Sequence, residues 1–529
     1  MREQNGTQTT TKRRKVRQTS EQNNVQDSVP QRPANDDKEG WKAYWKKLGQ
    51  PWRLEPEIEA LRQKYLMGRR SITPNVEKSI YPFSGIKLSR ADVEWLLATH
   101  DNGLGPVNWD DEDQRNRKGL DLRGADLSHV DLSNLPLARM LSGLIWDEWP
   151  IKTDKEPSRV MVQMAGANLS GAHLEKAYLT GACLTGANLS KAHLTEANLI
   201  CANLVRADLS DVDLEKAQLG FAHLEEAQLL RANLKRSHLD QAYLTKAQLH
   251  FAHLEQASLG FAHLECADCM GVYMQGVIAI AAYLEGTNLE KAHLEDGNFS
   301  GAYLSDVQLS EAYLAGCHLN EVFLADEKGV GPLIADLHWG DANLAVVNWS
   351  PVDMLGYEYQ ARQKKLDGKV KDKFTRIEEH ETAIRANRQL TIALQNQGLN
   401  DDAARFAYRT QVLQRKVFWM QGEPGKWLFS HLLSLLAGYG YKMWHILVAY
   451  ILIVSACAVA YFIFGIYHAP HLSLLQAFLE SITAFHGRVF SELFEPGSPQ
   501  IWVTAFEAIA GLVIEGIFIA MLAQRFFGK

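Results

Sequence analysis

Residues 167–181 read Ala-Asn-Leu-Ser-Gly, Ala-His-Leu-Glu-Lys, Ala-Tyr-Leu-Thr-Gly, and the chain keeps this period of five as far as Leu324. Leu fills 28 of the 32 central positions from 169 to 324, the others being Cys269, Met274, Ala279 and Phe299. Two places before each centre stands a small residue, mostly Ala, with Val212, Ser237, Val272 and Thr287 among the exceptions. A period of five matches neither the 3.6 of a helix nor the 2.0 of a strand. It fits a coil with four short sides, one pentapeptide per side, whose small residue and Leu point inward while the other three residues point out. The 32 centres then make eight coils, stacked at about 4.8 Å into an array of roughly 38 Å.

The motif A-(D/N)-L-x-x resembles the pentapeptide-repeat family, and the resemblance implies a right-handed quadrilateral β-helix. An earlier block, Leu122, Leu127, Leu132 and Leu137, runs in another register. An insertion at 138–163 with Trp146, Trp149 and Pro150 separates the two blocks, and a weaker tail of Leu337, Leu344 and Trp349 follows a break at Gly329–Pro332. The solenoid is therefore expected over 119–349, its ends covering the open edges of the stack. The register also decides the CxxC at Cys266 and Cys269. Cys269 is a centre and points inward, while Cys266 lies two past a centre and points out, so the pair does not read as a metal or redox site.

Three outward columns recur every twenty residues. One is polar: Asn168, Asn188, Asp208, Gln228, Gln248, Asp268, Asn288, Gln308. The second carries His173, His193, His253, Tyr273, His293 and Tyr313, and the third His223, Tyr243, His263, Tyr283, Tyr303 and Phe323. The plain reading is side-chain stacking that supports the coil. The sharper one is a docking or pH-sensitive face for a protein or ligand. Between 165 and 326 there are 20 Asp/Glu and 9 Lys/Arg. Some pentapeptide-repeat proteins use such acidity to mimic DNA before a topoisomerase; more often an acidic surface serves solubility.

Before the repeats, residues 1–39 read as a disordered basic tail with Lys12, Arg13, Arg14, Lys15 and Arg17, and 40–118 as a small helical module. In that module Trp41, Trp45, Trp52, Leu61 and Leu66 lie at roughly helical spacing, and Ser89 with Asp92 marks a helix start. The cluster Asp110–Asp113 reads as a solvated loop rather than a metal site. After the repeats, 353–430 is expected to be a helical hairpin connector with helices at Val370–Gln397 and Asp401–Met420, Asn400 capping the second.

The last part, 443–529, is mostly apolar. Met443–Tyr467 and Ile501–Leu522 are each long enough to cross a bilayer, which takes about 20 residues. Leu472–Phe485 between them is too short and amphipathic. The order of span, short re-entrant helix, polar loop and span resembles the two-transmembrane pore domain of the potassium-channel superfamily. Ser481-Ile-Thr-Ala-Phe-His-Gly-Arg-Val-Phe stands in its filter position and Phe506–Gly516 in its inner helix. The filter sequence Thr-Val-Gly-Tyr-Gly, whose carbonyls make potassium selectivity, is missing, and His486-Gly487-Arg488 stands in its place. The resemblance makes Thr483, Ala484, Phe485, His486, Gly487 and Arg488 a filter-like loop. Glu507 and Glu515, costly in lipid, become pore-lining candidates, the alternative being pairing with His or hydroxyl groups inside the bundle. Gly511 and Gly516 become a hinge or close-packing points. Gly438-Tyr439-Gly440-Tyr441 precedes the first span and reads as a turn leading into the membrane.

Lys426 and Lys442 flank one span and Arg525 and Lys529 the other, which puts both termini in the cytoplasm of a cell-membrane protein. Two spans cannot enclose a pore, so a channel requires a homo-oligomer, four by resemblance, with lipid and ions as partners. Three functions are open: an oligomeric ion-channel-like protein whose solenoid senses or assembles, a membrane-tethered interaction scaffold, and an acidic DNA mimic. No nucleophile, metal cluster, cofactor motif or phosphate loop is recognisable, so an enzyme is the least supported class, and nucleic acid is not an expected partner.

Overall fold

The computed structural model describes residues 30–75, 80–143, 161–366, 369–441, 443–467, 471–487 and 497–527, with Ala469 and Phe494. The basic run at 12–17, the tryptophans of the insertion and Arg488 lie outside these residues. The chain divides into Met1–Pro56 and Glu57–Lys529, so the module expected over 40–118 is split.

The first unit contains α1 (Lys38–Lys47), whose Asp37 cap accepts from Gly40 N. Trp41, Tyr44 and Trp45 are buried together on one face, and the Arg53 guanidinium lies 3.5 Å above the Trp45 ring. The helix begins two residues inside the expected tail.

In the second unit, α2 (Ala60–Arg70) precedes α3 (Arg90–Ala98), which carries the expected capping box between Ser89 and Asp92. The single turn α4 (His100–Gly103) leads toward the repeats. Every repeat centre from Leu169 to Leu324 is buried. Each coil is bonded to the next twenty residues on, as Asn168–Asn188–Asp208 and His173–His193–Asp213 illustrate. Leu169 N donates to Asn188 O at 2.6 Å and Asn188 N to Ala167 O at 2.9 Å, a pattern that recurs around the coil. Each side contributes one bridged residue. Among the described residues the two-residue strands β1 (Lys365–Leu366) and β2 (Lys369–Val370) form the paired sheet, antiparallel and outside the coils.

The small inward position tolerates a polar residue when its hydrogen finds a carbonyl. Ser237 Oγ donates to Leu234 O at 2.7 Å and Thr287 Oγ1 to Leu264 O at 2.8 Å. From Gly166 to Glu321 the residue at every fifth position, two past a centre, sits in the left-handed region, with φ of +58° at Gln241 and +57° at Cys266. In the sequence these 32 positions, from 166 to 321, hold no Val, Ile, Thr or Pro, the residues for which that backbone is costliest.

The insertion is narrower than expected. Asp126 pairs with Gln163, Asp131 with Asn168, Pro136 with His173 and Leu141 with Tyr178, so the early block is the first coil of the same stack. Ser142 occupies a buried centre and donates to Tyr178 O at 2.8 Å. A polar residue at a centre hid this repeat from the sequence pattern, and only 144–160 stand between the described ends. At the other end Gln308 pairs with Leu333 and Tyr313 with His338, so the Gly-rich break is a short excursion before the last coil.

Both ends of the stack are covered. Lys87 bridges to Asp126, and buried Arg90, paired with Glu94 at 2.8 Å, donates to Asp131 O and Ser133 O. At the C-terminal edge α5 (Gly356–Arg362) leads through β1 and β2 to the hairpin of α6 (Lys373–Asn396) and α7 (Asn400–Gln421). Gln389 bonds Asp336, Gln397 bonds Leu344 N and Ala342 O, and Trp349 meets Phe406 edge-on. Two expectations are corrected. Val370 belongs to β2 and α6 starts at Lys373 behind the Asp372 cap. Asn400 is the first residue of α7, and Leu399 precedes it without a side-chain cap bond. An apolar helix, α8 (Pro424–Ala437), then leads through a left-handed Gly438 and Tyr439 to α9 (Met443–Tyr467), α10 (Leu474–Phe485) and α11 (Pro499–Phe527).

Candidate functional site

Helices α9 and α11 each contain 24 residues long and apolar enough to cross a membrane by length and composition. Between them α10, of 12 residues, starts at a capping box in which Ser473 and Gln476 satisfy each other's backbone N–H. Its buried face is Ala477, Glu480, Ser481, Ala484 and Phe485. Phe485 packs with Ile446, Val454, Ile514 and Met521, and meets Tyr450 edge-on at 4.8 Å.

The filter-like loop requires correction. Thr483, Ala484 and Phe485 form the last helical turn of α10, and Thr483 Oγ1 donates back to Glu480 O at 2.8 Å. Their carbonyls are committed to helix geometry, which an extended filter does not use. Only His486 and Gly487, the latter at φ +68°, leave the helix; Arg488 lies outside the described residues. His486 Nδ1 lies 2.6 Å from Glu515 Oε1, each side chain about half exposed.

Glu507 and Glu515 occupy different surroundings. Glu507 is fully buried, its carboxyl against the Ser481 hydroxyl, which donates to Val454 O at 2.9 Å. One turn before it, the Thr504 hydroxyl donates to Gln500 O at 3.0 Å, so the Tyr461 hydroxyl, 2.8 Å away, donates to Thr504. Pairing with a hydroxyl at Glu507 and with His at Glu515 is thus the arrangement found. Gly511 is a packing point, because a Cβ there would collide with the Phe485 carbonyl, whereas Gly516 is open. Helix α11 runs unbroken through both. Sequence periodicity did not single out the seam of Gln500, Thr504 and Tyr461. Its signal was the i, i+4, i+7 spacing of Gln500, Thr504 and Glu507.

On the solenoid, His223, Tyr243, His263, Tyr283, Tyr303 and Phe323 stack as one ladder and His253, Tyr273, His293, Tyr313 and His338 as another. Ring centroids lie 4.5–5.1 Å apart with planes within 12°. Each interior ring is covered on both faces, so edges alone meet solvent; this suits support of the coil better than stacking on a ligand. Glutamates two residues on hold the histidines, as at His253–Glu255 and His263–Glu265. The Glu175 hydrogen bond raises His173 above the ordinary histidine range against the opposing effect of burial. Cys266 is exposed and Cys269 buried, so their side chains diverge. Among the described residues no three or more His, Cys, Asp or Glu are grouped to hold a metal. Asp110–Asp113 form a turn in which Asp111 caps Asp113 N and bonds Gln114.

The model of the pentapeptide-repeat family matches eight copies, over residues 162–195, 187–227, 222–260, 267–306 and 282–320. The array is built of pentapeptide repeats. Solved structures similar to it include HetL, a pentapeptide repeat protein involved in heterocyst differentiation regulation from the cyanobacterium Nostoc sp. strain PCC 7120. That chain is 24% identical over 47% of this chain and 97% of its own, at a TM-score of 0.35. QnrB1, a plasmid-mediated fluoroquinolone resistance protein, is 14% identical over 37% of this chain and 87% of its own, at 0.24. Rfr23 from the cyanobacterium Cyanothece 51142 is 22% identical over 40% of this chain and 92% of its own, at 0.09. No curated protein matches the chain. The family model's matches all lie within residues 162–320, in the solenoid.

Proposed function

We propose that this chain is an integral membrane protein that assembles into an ion-channel-like oligomer, with its pentapeptide solenoid as a cytoplasmic sensing or assembly domain. The observation that carries the reading is α10. A capped 12-residue helix, too short to cross, is held between two helices that are each long enough, and it ends at His486 beside Glu515. Irregular backbone at membrane depth is tolerated where it is buried in protein or lines water, and an ionisable pair there marks a path for ions or protons. With two spans per chain a path needs several copies, four by analogy of layout. Basic residues outside the two spans favour a cytoplasmic position for both termini.

Planar-bilayer recording of the detergent-purified oligomer tests the proposal. Conductance that changes its ion preference in Glu515→Gln supports it. A monomer in detergent, or silence across voltage and pH, sinks it. A second reading, a tethered scaffold without conductance, is favoured by the exposed apolar residues Phe261, Ile278 and Ile280 on adjacent coils. Stoichiometric capture of one protein by the full chain, lost in Phe261→Ser, is its expected mark.

A further inference from the structure

Helix α8 leaves an apolar stripe uncovered. Its outward residues are Leu428 (62% exposed), Phe429 (63%), Leu432 (48%) and Leu435 (66%), an i, i+1, i+4, i+7 stripe. Its inward side is mixed: buried Ser430 pairs with the Tyr439 hydroxyl at 2.9 Å, beside half-buried Trp427, Leu433, Ser434 and Leu436. Flanking residues tie it to α7, Trp427 against Trp419 and His431 against Arg415. A helix that docks on its own protein and faces water elsewhere keeps a polar outer face; α8 instead leaves a wholly apolar stripe outward. The stripe is unpartnered within the chain and needs an apolar environment from outside.

We infer that α8 lies on the membrane surface, its Leu428–Phe429–Leu432–Leu435 face sunk into the boundary between headgroups and acyl chains. The inference rests on the proposed membrane reading and deepens it. Continuity selects the occupant. After one turn at Gly438–Gly440 the chain enters α9, whose Trp444, Leu447, Ile451 and Leu452 are exposed to a similar degree. The two apolar surfaces are therefore presented by consecutive helices. At 14 residues α8 is about 21 Å long, short of the roughly 30 Å of a hydrocarbon core, so it lies along the surface. Tyr439, Tyr441 and Trp444 cluster at the junction in sequence, the residue types that settle at headgroup level. Because α8 packs on α7, and α7 belongs to the hairpin on the last coil, the surface helix joins the solenoid to the span.

The test places an environment-sensitive fluorescent amino acid at 428, 432 or 435, at Lys426 as an aqueous control and at Ile451 as a membrane control. The full chain is reconstituted in vesicles of phosphatidylcholine and phosphatidylglycerol. Quenching at 428, 432 and 435 by brominated acyl chains, with shielding from iodide and the reverse at 426, is the expected result. Iodide access at 428, 432 and 435 with 451 still shielded overturns the surface helix alone. Shielding of these sites from both quenchers also overturns it, because protein then covers the stripe. Iodide access at 451 as well overturns the membrane reading beneath it.

Discussion

Gly297 and Phe299 exchange volume inside one repeat. A Cβ on Gly297, which holds the small inward position, would stand 2.7 Å from Phe299 Cε2 and 2.8 Å from Leu294 O. The large ring at a Leu position is therefore accommodated by deleting the neighbouring methyl, as volume-conserving cores require. Gly297→Ala is expected to cost about 1–3 kcal/mol by overpacking, and Phe299→Leu in the same chain should recover part of the loss. Denaturation of the four members of this double-mutant cycle measures the coupling, and additive costs would refute the exchange. A second residue carries a pH dependence. His380 is buried in α6, its Nδ1 2.7 Å from Arg376 O. Burial pushes it below the ordinary range, and Lys416 and Arg376 add to this, while the Arg376 carbonyl and Glu379 oppose it. The proton is bound more tightly by the unfolded chain, whose histidine titrates near 6.5. Stability of the hairpin is therefore full above that pH and falls as pH drops from about 6.5 toward the lower folded value. Hydrogen exchange of α6 and α7 followed from pH 7.5 to 5 checks the sign, and His380→Gln should flatten the dependence.

At the scale of the element, the solenoid bends once per repeat through a left-handed residue, an uncommon conformation for anything but Gly, Asn and Asp. Gln241, exposed at φ +58°, donates its N–H to Gly260 O at 2.8 Å in the next coil. Its side chain does no packing that a substitution would remove. Gln241→Val should therefore destabilise by about 1–2 kcal/mol through backbone strain, whereas Gln241→Asn should be neutral or stabilising. Equal effects of the two on the unfolding midpoint would show that the turn relaxes. The coil, the hairpin and both apolar helices were legible because each has a sustained period or length. The edges of the insertion were not, because Ser142 at a centre and Val162 at a small position break the Ala and Leu pattern on both sides. The filter-like reading of Thr483–Phe485 failed because the resemblance assigned to the loop three residues that the amphipathic run Leu472–Phe485 had already placed in the short helix, and α10 does end at Phe485. The orientation of α8 was hidden for a different reason: periodicity reports that a stripe exists, and only tertiary packing decides which side of it meets protein.

The whole molecule separates two kinds of surface along the chain. Up to α7 the apolar side chains are largely internal: the repeat centres are buried, and both edges of the stack are covered by α3 and by the α6–α7 hairpin. From α8 onward the balance reverses, and Leu428, Leu435, Leu447, Leu452, Trp502, Phe506 and Leu512 are more than half exposed. Exposed apolar side chains concentrated in this way mark a membrane or protein contact surface, so solubility should change at one point in the chain. Truncation after Gln421 is predicted to yield a protein that remains in the supernatant without detergent and keeps a cooperative thermal transition, since the capping contacts of Gln389, Gln397 and Phe406 stay in place. The full chain should sediment with membranes and resist alkaline extraction. Fractionation of the two forms expressed side by side decides the matter. A full chain released by alkali would mean that α9 and α11 bury their apolar faces against protein, and a truncated chain that sediments would place the insoluble surface in the solenoid itself.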